Sequence, residues 1–169
     1  EEKLEAQQKL NQLAYFDPLT QVSNRHSFMQ SIDQDTTFAH QNKQSLALFY
    51  IDLDNFKWIN DSYGHSVGDK LLVEISERIN SLLRPDDQLF RIGGDEFTII
   101  AKNSQSIESL AKFANAIIES AAQDFYISDI TLHTGVSIGI AVYPQDAENP
   151  QTLVKQANIA MFQAKLQGR

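Results

Sequence analysis

The residues best suited to chemistry are two glycines and a set of carboxylates. Gly93-Gly94-Asp95-Glu96 lies between two β-prone runs, Gln88-Leu89-Phe90-Arg91-Ile92 and Phe97-Thr98-Ile99-Ile100-Ala101. A glycine pair between such runs reads as a hairpin whose turn uses positive φ, and the missing side chains let a ligand come close to the backbone. Adjacent carboxylates at the exit suit a place where polyanions and divalent cations meet, although the four residues alone serve equally as a solvated Gly-Asp turn. A second acidic group, Asp52-Leu53-Asp54, directly follows the apolar run Leu46–Ile51. Alternation along an extended chain puts Asp52 and Asp54 on one side. With the hairpin in reach they form an oxygen-rich pocket suited to Mg²⁺ or Mn²⁺. Asp52 is read as the metal ligand and Asp54 as a cap or support for the turn that follows.

That turn, Asn55-Phe56-Lys57, can present backbone N–H groups to phosphate oxygens as helix N-termini do. Asn60 and Asp69 flank a loop punctuated by Gly64 and Gly68. An amide can donate to the O6 or N7 of guanine, and a carboxylate can accept from its N1–H and 2-amino group. Asp69 fits equally as a helix N-cap. Lys165 and Arg169 lie four apart near the end of the chain, where they can complement a helix dipole or reach a triphosphate. The four histidines, His26, His40, His65 and His133, have no partners at metal-ligand spacing and read as structural or surface groups.

The elements that must position these groups follow from periodicity and breakers. Glu1 to Ala14 reads as a helix leading into the domain, stopped by Asp17-Pro18, and Asn24 caps a second helix that runs out in the polar stretch Asp33 to Gln44. Leu46–Ile51 is a central strand. An amphipathic helix follows over about Val67 to Leu83, ended by Pro85. After the hairpin come a helix over Ile107 to Ala122, a strand from Thr131 through Ala141, and a helix over Thr152 to Leu166. A four- or five-stranded, mainly antiparallel sheet with helices on one face, an α+β arrangement in the ferredoxin-like style, accommodates this order.

The 169 residues suffice for one such domain. With 14 Lys and Arg against 22 Asp and Glu, the formal charge is −8. Such a surface argues against nucleic acid or an anionic membrane as partner and leaves a small anion handled with metal and local basic groups. There is no cysteine, and no apolar run approaches the roughly 20 residues of a membrane span. Both ends read as cut from a longer protein.

Five ordered blocks of the chain resemble the GGDEF-domain diguanylate cyclases. They are Asp17-Pro18-Leu19-Thr20 with Asn24-Arg25; Asp52 to Lys57; Ile59-Asn60-Asp61, Gly64-His65 and Gly68-Asp69; Gly93 to Phe97; and Ser137 to Ala141, Tyr143-Pro144 and Ala160 to Lys165 with Gly168-Arg169. The resemblance implies a βαββαβ core related to nucleotidyl cyclases and polymerase palms. It implies condensation of two GTP into cyclic di-GMP with loss of pyrophosphate, by a homodimer and with two Mg²⁺ (or Mn²⁺) per half-site.

By motif position Asp52, Asp95 and the Leu53 carbonyl would hold metal, and Glu96 would help activate the attacking 3′-hydroxyl or support the metal site. Asn60 and Asp69 would read guanine. Asn55, Phe56, Gly93 and Gly94 would face the nucleotide, with Lys57, Lys165 and Arg169 supplying positive charge. Arg84-Pro85-Asp86-Asp87 falls in the register of the family's inhibitory product site, with Arg84 and Asp87 as its contacts. Residues 1–16 would be a signalling helix from an N-terminal sensory domain, and residues 17–169 the cyclase. The domain would then be cytoplasmic, free or as the inner part of a membrane-anchored sensor, with no membrane contact of its own. An idle module sensing GTP or cyclic di-GMP for a fused domain is the alternative. Three departures, Gln21-Val22 for Gly-Leu, Asn158 for Asp and Phe162 for Tyr, imply altered packing with catalysis retained.

Overall fold

The computed structural model describes residues 1–103 and 106–168. Its core begins at β1 (Leu46–Leu53), which is buried along nearly its whole length. Both side-chain parities of β1 are apolar, so both faces need cover. The helices therefore lie on two faces, which corrects the expectation of one.

Ala47, Phe49, Ile51 and Leu53 pack against α4 (His65–Leu82) and α5 (Ile107–Ala122). Leu46, Leu48 and Tyr50 pack against α2 (Arg25–Gln41) and α6 (Pro150–Gly168). A short α3 (Phe56–Tyr63) precedes α4, and β2 (Gln88–Gly93) and β3 (Glu96–Lys102) form the glycine hairpin. With β6 (Val136–Tyr143), the sheet runs in the order β2-β3-β1-β6, antiparallel at every pairing. Strands β1, β2, β3 and β6 with their connecting helices make a βαββαβ core. The α+β expectation holds.

Side-chain caps set two helix starts, that of α2 at Asn24 as the sequence suggests and that of α5 at Ser106, which the sequence reading did not single out. The Asn24 side chain accepts from the Ser27 N–H at 3.0 Å, and Ser106 Oγ accepts from the Ser109 N–H at 3.1 Å. Helix α2 ends inside the polar stretch, as expected, although only at Gln41. Thr36 and Ala39 continue its buried face, and Thr36 returns its hydroxyl to the Ile32 carbonyl at 2.7 Å. The expected single strand from Thr131 to Ala141 is divided between β5 (Ile130–Leu132) and β6. β4 (Phe125–Ile127) and β5 make a separate small hairpin, turning through Ser128 and Asp129, both at positive φ. The first helix, α1 (Glu2–Tyr15), has no buried residue. No helix among the described residues is long and apolar enough to cross a membrane.

Candidate active site

Asp52 is the penultimate residue of β1, opposite Glu96 on β3 and Ser137 on β6. Strand pairing thus delivers the two acidic motifs to one place. Gly93 (φ +156°) closes β2 opposite Glu96, and Gly94 (φ +50°) with Asp95 makes the turn; at both glycines a β-carbon would be strained. The turn is anchored at its base: the Leu53 N–H donates to the Asp95 carbonyl at 3.2 Å.

The Asp52 carboxylate is enclosed and unevenly satisfied. Its Oδ2 lies 3.1 Å from the Lys165 ammonium, whereas Oδ1 is buried without a hydrogen-bond partner. Burial, the hydrogen bond that a protonated carboxyl can make with Asp95, and repulsion between the two carboxylates when both are ionised push its pKa up to about 7 against the pull of Lys165. Two carboxylates sharing a desolvated site resist ionising together, and a cation relieves both.

The donor set fits a divalent ion in one specific sense. Among the described residues no group of three His, Cys, Asp or Glu side chains forms a cage. Mg²⁺, however, is commonly held by one or two carboxylates with water and substrate phosphate completing the shell. Asp52, Asp95 and the Leu53 carbonyl offer that partial set. The Lys165 ammonium already lies against two of these groups, at 3.1 Å from Asp52 and 3.2 Å from the Leu53 oxygen. A cation is thus favoured here by the arrangement itself.

Asp54 proves to be support. Its Oδ1 accepts from Ser137 Oγ at 2.8 Å, its N–H donates to the Gly135 carbonyl at 2.8 Å, and its carbonyl accepts from Thr134 at 3.0 Å. Asn55 adopts the left-handed conformation (φ 60°) as the N-cap of α3, with its side chain free of any capping bond. Lys57 is exposed on that helix.

Asn60 is brought against Gly68, whose added β-carbon would collide with the Asn60 carboxamide oxygen. That buried oxygen has no partner. Asp69 follows on the next residue and lines an open groove of about 410 Å³ with Leu19 and Val73. Asp69 is not an N-cap: α4 starts four residues earlier at His65, with Gly64 as its cap. Asn60 thus lies against the first turn of α4, whereas Asp69 lines a groove to which Asn60 does not contribute. Arg169 lies outside the described residues.

Arg84 and Asp87 also meet. The guanidinium reaches Asp87 through Nε and Nη2, each at 3.2 Å, while the Arg84 N–H donates to the same carboxylate at 3.0 Å. The Asp87 side chain is wholly buried, and Arg84 keeps half its surface in solvent.

Two contributors were missed from sequence. Arg91 donates to the Gly94 carbonyl through Nε at 3.1 Å and Nη2 at 2.8 Å, and its Nη1 pairs with Asp17 at 3.1 Å. Burial raises the Asp17 pKa, but bonds from Thr20 and Arg91 outweigh this and hold it below the ordinary range. The signal was a lone charge inside the strand Leu89-Phe90-Arg91-Ile92. The other is Tyr50, whose hydroxyl donates to Glu96 Oε2 at 2.8 Å. Burial, reinforced by that carboxylate, raises the phenol's pKa well above its usual value.

This geometry has relatives. The family profile described as "Diguanylate cyclase, GGDEF domain" matches residues 14–169. The chain belongs to the GGDEF-domain family. The GGDEF domain of TpbB (YfiN) from Pseudomonas aeruginosa superposes with a TM-score of 0.88 at 38% identity, covering 92% of this chain and 91% of that one. The coiled coil and GGDEF domain of DgcB from Caulobacter crescentus, in complex with c-di-GMP, gives 0.90 at 25% identity, covering 99% and 90%.

Among curated proteins, the cyclic di-GMP phosphodiesterase PdeR of Escherichia coli (strain K12) is 39% identical over 99% of this chain and 25% of its own length. The chain spans about a quarter to a third of the length of such relatives. Against this GGDEF family the three departures fall away from the acidic cluster. Asn158 and Phe162 are exposed on α6. Gln21 sits at φ 66°, so a glycine there would be the unstrained choice.

Proposed function

We propose that this domain is a diguanylate cyclase, condensing two GTP into cyclic di-GMP. In each half-reaction the 3′-hydroxyl oxygen of one GTP attacks the α-phosphorus of the other. One O–P bond forms, the bond to the β-phosphate oxygen breaks, pyrophosphate leaves, and the hydroxyl proton passes to Glu96 or through it to water. Two such steps close the ring. A divalent cation held by Asp52, Asp95 and the Leu53 carbonyl would supply the charge that lowers the pKa of the attacking hydroxyl and balances the departing pyrophosphate.

The chain's own residues do the rest. Asp52, Asp95 and the Leu53 carbonyl hold the cation, and Asn55, Phe56, Gly93 and Gly94 give backbone access to the phosphates. Lys57, Lys165 and Arg169 offset triphosphate charge, while Asn60 and Asp69 select guanine. The observation that carries this reading is the buried, unpartnered Oδ1 of Asp52 beside Asp95. It is a charge arrangement that the fold alone leaves costly and a cation makes favourable.

One domain binds one GTP, so catalysis requires two domains face to face in a homodimer. Helix α1, which has no buried residue, would set that geometry as a signalling helix over residues 1–16. The exposed guanidinium edge of Arg84 would meet cyclic di-GMP at an inhibitory site, with Asp87, expected as a second contact but wholly buried, holding the guanidinium in place. The DgcB complex supports product binding to this fold.

A second reading is a non-catalytic module sensing GTP or cyclic di-GMP within a longer protein. It is favoured by the phosphodiesterase name of PdeR and by the small share of it that this chain spans. Incubation with Mg²⁺ and either GTP or ATP, with products resolved by chromatography, separates the two. The cyclase reading expects cyclic di-GMP from GTP and no dinucleotide from ATP. Bound GTP that stays unconverted would favour the sensor.

A further inference from the structure

Tyr50 lies where packing asks only for an aromatic ring. It stands on the α2/α6 face of β1 within the cluster that holds Phe28, Leu48 and Phe90, and only 6% of its surface is exposed. In the sheet it is opposite Thr98 on β3 and Gly139 on β6. A phenylalanine would fill that space. The hydroxyl adds nothing to the packing, yet it is not idle: it reaches two residues along β3 from Thr98 and donates to Glu96 Oε2 at 2.8 Å. Period-two alternation puts Tyr50 and Asp52 on one side of β1, facing Thr98 and Glu96 on β3. The phenol therefore approaches Glu96 from the core, beneath the cation-binding carboxylates.

We propose that Tyr50 is a positioning residue for Glu96, a role that rests on the cyclase reading above. Glu96 starts β3 at the mouth of the hairpin and has three side-chain torsions to fix. One oxygen tied to a ring locked in the core fixes them. Oε1 then accepts from no described side chain and stays available to a substrate hydroxyl. A carboxylate held in one rotamer accepts a proton from a fixed direction, and a misplacement of about 1 Å in such a group can cost on the order of 10²-fold in rate. The pairing also explains why a polar aromatic is tolerated mid-strand in the core: a buried phenol needs an acceptor. Neighbouring Thr98 provides the contrast, since its Oγ1 is buried without a partner and does not touch Glu96.

The test is Tyr50→Phe beside Thr98→Val, with initial rates of cyclic di-GMP formation at varied GTP and a crystal structure of each variant. Tyr50→Phe is expected to lower kcat about tenfold, leave the KM for GTP within about twofold, and release the Glu96 carboxylate from its present rotamer. Thr98→Val should match the parent in all three. A kcat equal to the parent's, a change confined to KM, an unmoved Glu96, or an equal loss in Thr98→Val would each overturn the role. If the parent itself makes no cyclic di-GMP, the cyclase reading fails. The position of Glu96 in the two crystals then decides the positioning claim independently: displaced only in Tyr50→Phe sustains it, unmoved overturns it.

Discussion

Asp87 and Asp52 are both largely withdrawn from solvent, Asp87 the more completely, and the fold treats them in opposite ways. Asp87, just before β2, has a fully buried side chain met by three donors from Arg84. Asp52, at the far end of the same sheet, is 14% exposed, keeps one oxygen unpartnered, and shares its space with a second carboxylate. A buried acceptor without a partner costs about 1–3 kcal/mol, so an arrangement like that at Asp52 persists where something other than stability uses it. The Asp87 region is closed by its own residues and presents only the outer edge of a guanidinium. The Asp52 region keeps an acceptor that its own residues leave unmet.

The sharpest way to break this contrast is to neutralise each acid. Asp52→Asn is expected to reduce cyclic di-GMP formation by roughly 10²–10³-fold, judged from comparable losses of a charge-stabilising group, while the domain stays folded. Asp87→Asn should instead destabilise the domain by about 2 kcal/mol in chemical denaturation, since it leaves a guanidinium facing a neutral amide. Equal stability losses in the two variants would erase the distinction.

Next in size is the exposed edge of Arg84. Arg84→Ala is expected to weaken cyclic di-GMP binding by tenfold or more in calorimetry and to leave the initial rate of GTP turnover unchanged. Undiminished binding would remove Arg84 from the inhibitory role.

The pH dependence of stability gives a smaller, signed test. Asp52 titrates near 7 in the fold against an ordinary carboxylate value of 3.8, so between these values the folded state binds the additional proton. Its contribution to stability therefore falls as pH rises from about 4 to 7. The metal-free domain should lose part of its stability across that window, Asp52→Asn should flatten the slope, and Mg²⁺ should raise Tm more at pH 8 than at pH 5. A slope unchanged in Asp52→Asn would assign it elsewhere. The smallest expected effect is at Gln21, held at φ 66°. Gln21→Gly should stabilise the domain by about 1 kcal/mol in denaturant titration with turnover unaltered.

Much of the active end is legible in sequence because it depends on local rules. A continuous apolar run gives β1, alternation puts Asp52 on a defined side, and Gly93-Gly94 announces a positive-φ turn. The bounds of α5, Ile107–Ala122, coincide with those expected from periodicity. What escapes depends on partners distant in sequence. The polar composition of Asp33 to Gln44 hides the buried Thr36 and Ala39, which earn burial only once α2 lies on the sheet. Asp69 looks like a cap until α4 is seen to begin at His65. Tyr50 with Glu96, and Arg91 with Gly94 and Asp17, are likewise products of strand pairing and tertiary packing.

The most direct test of the central claim is the rate of cyclic di-GMP formation from GTP and Mg²⁺ as a function of protein concentration. Two half-sites that must meet predict a rate rising faster than linearly with protein, with cyclic di-GMP as the product. GTP bound at every concentration without conversion would contradict the claim.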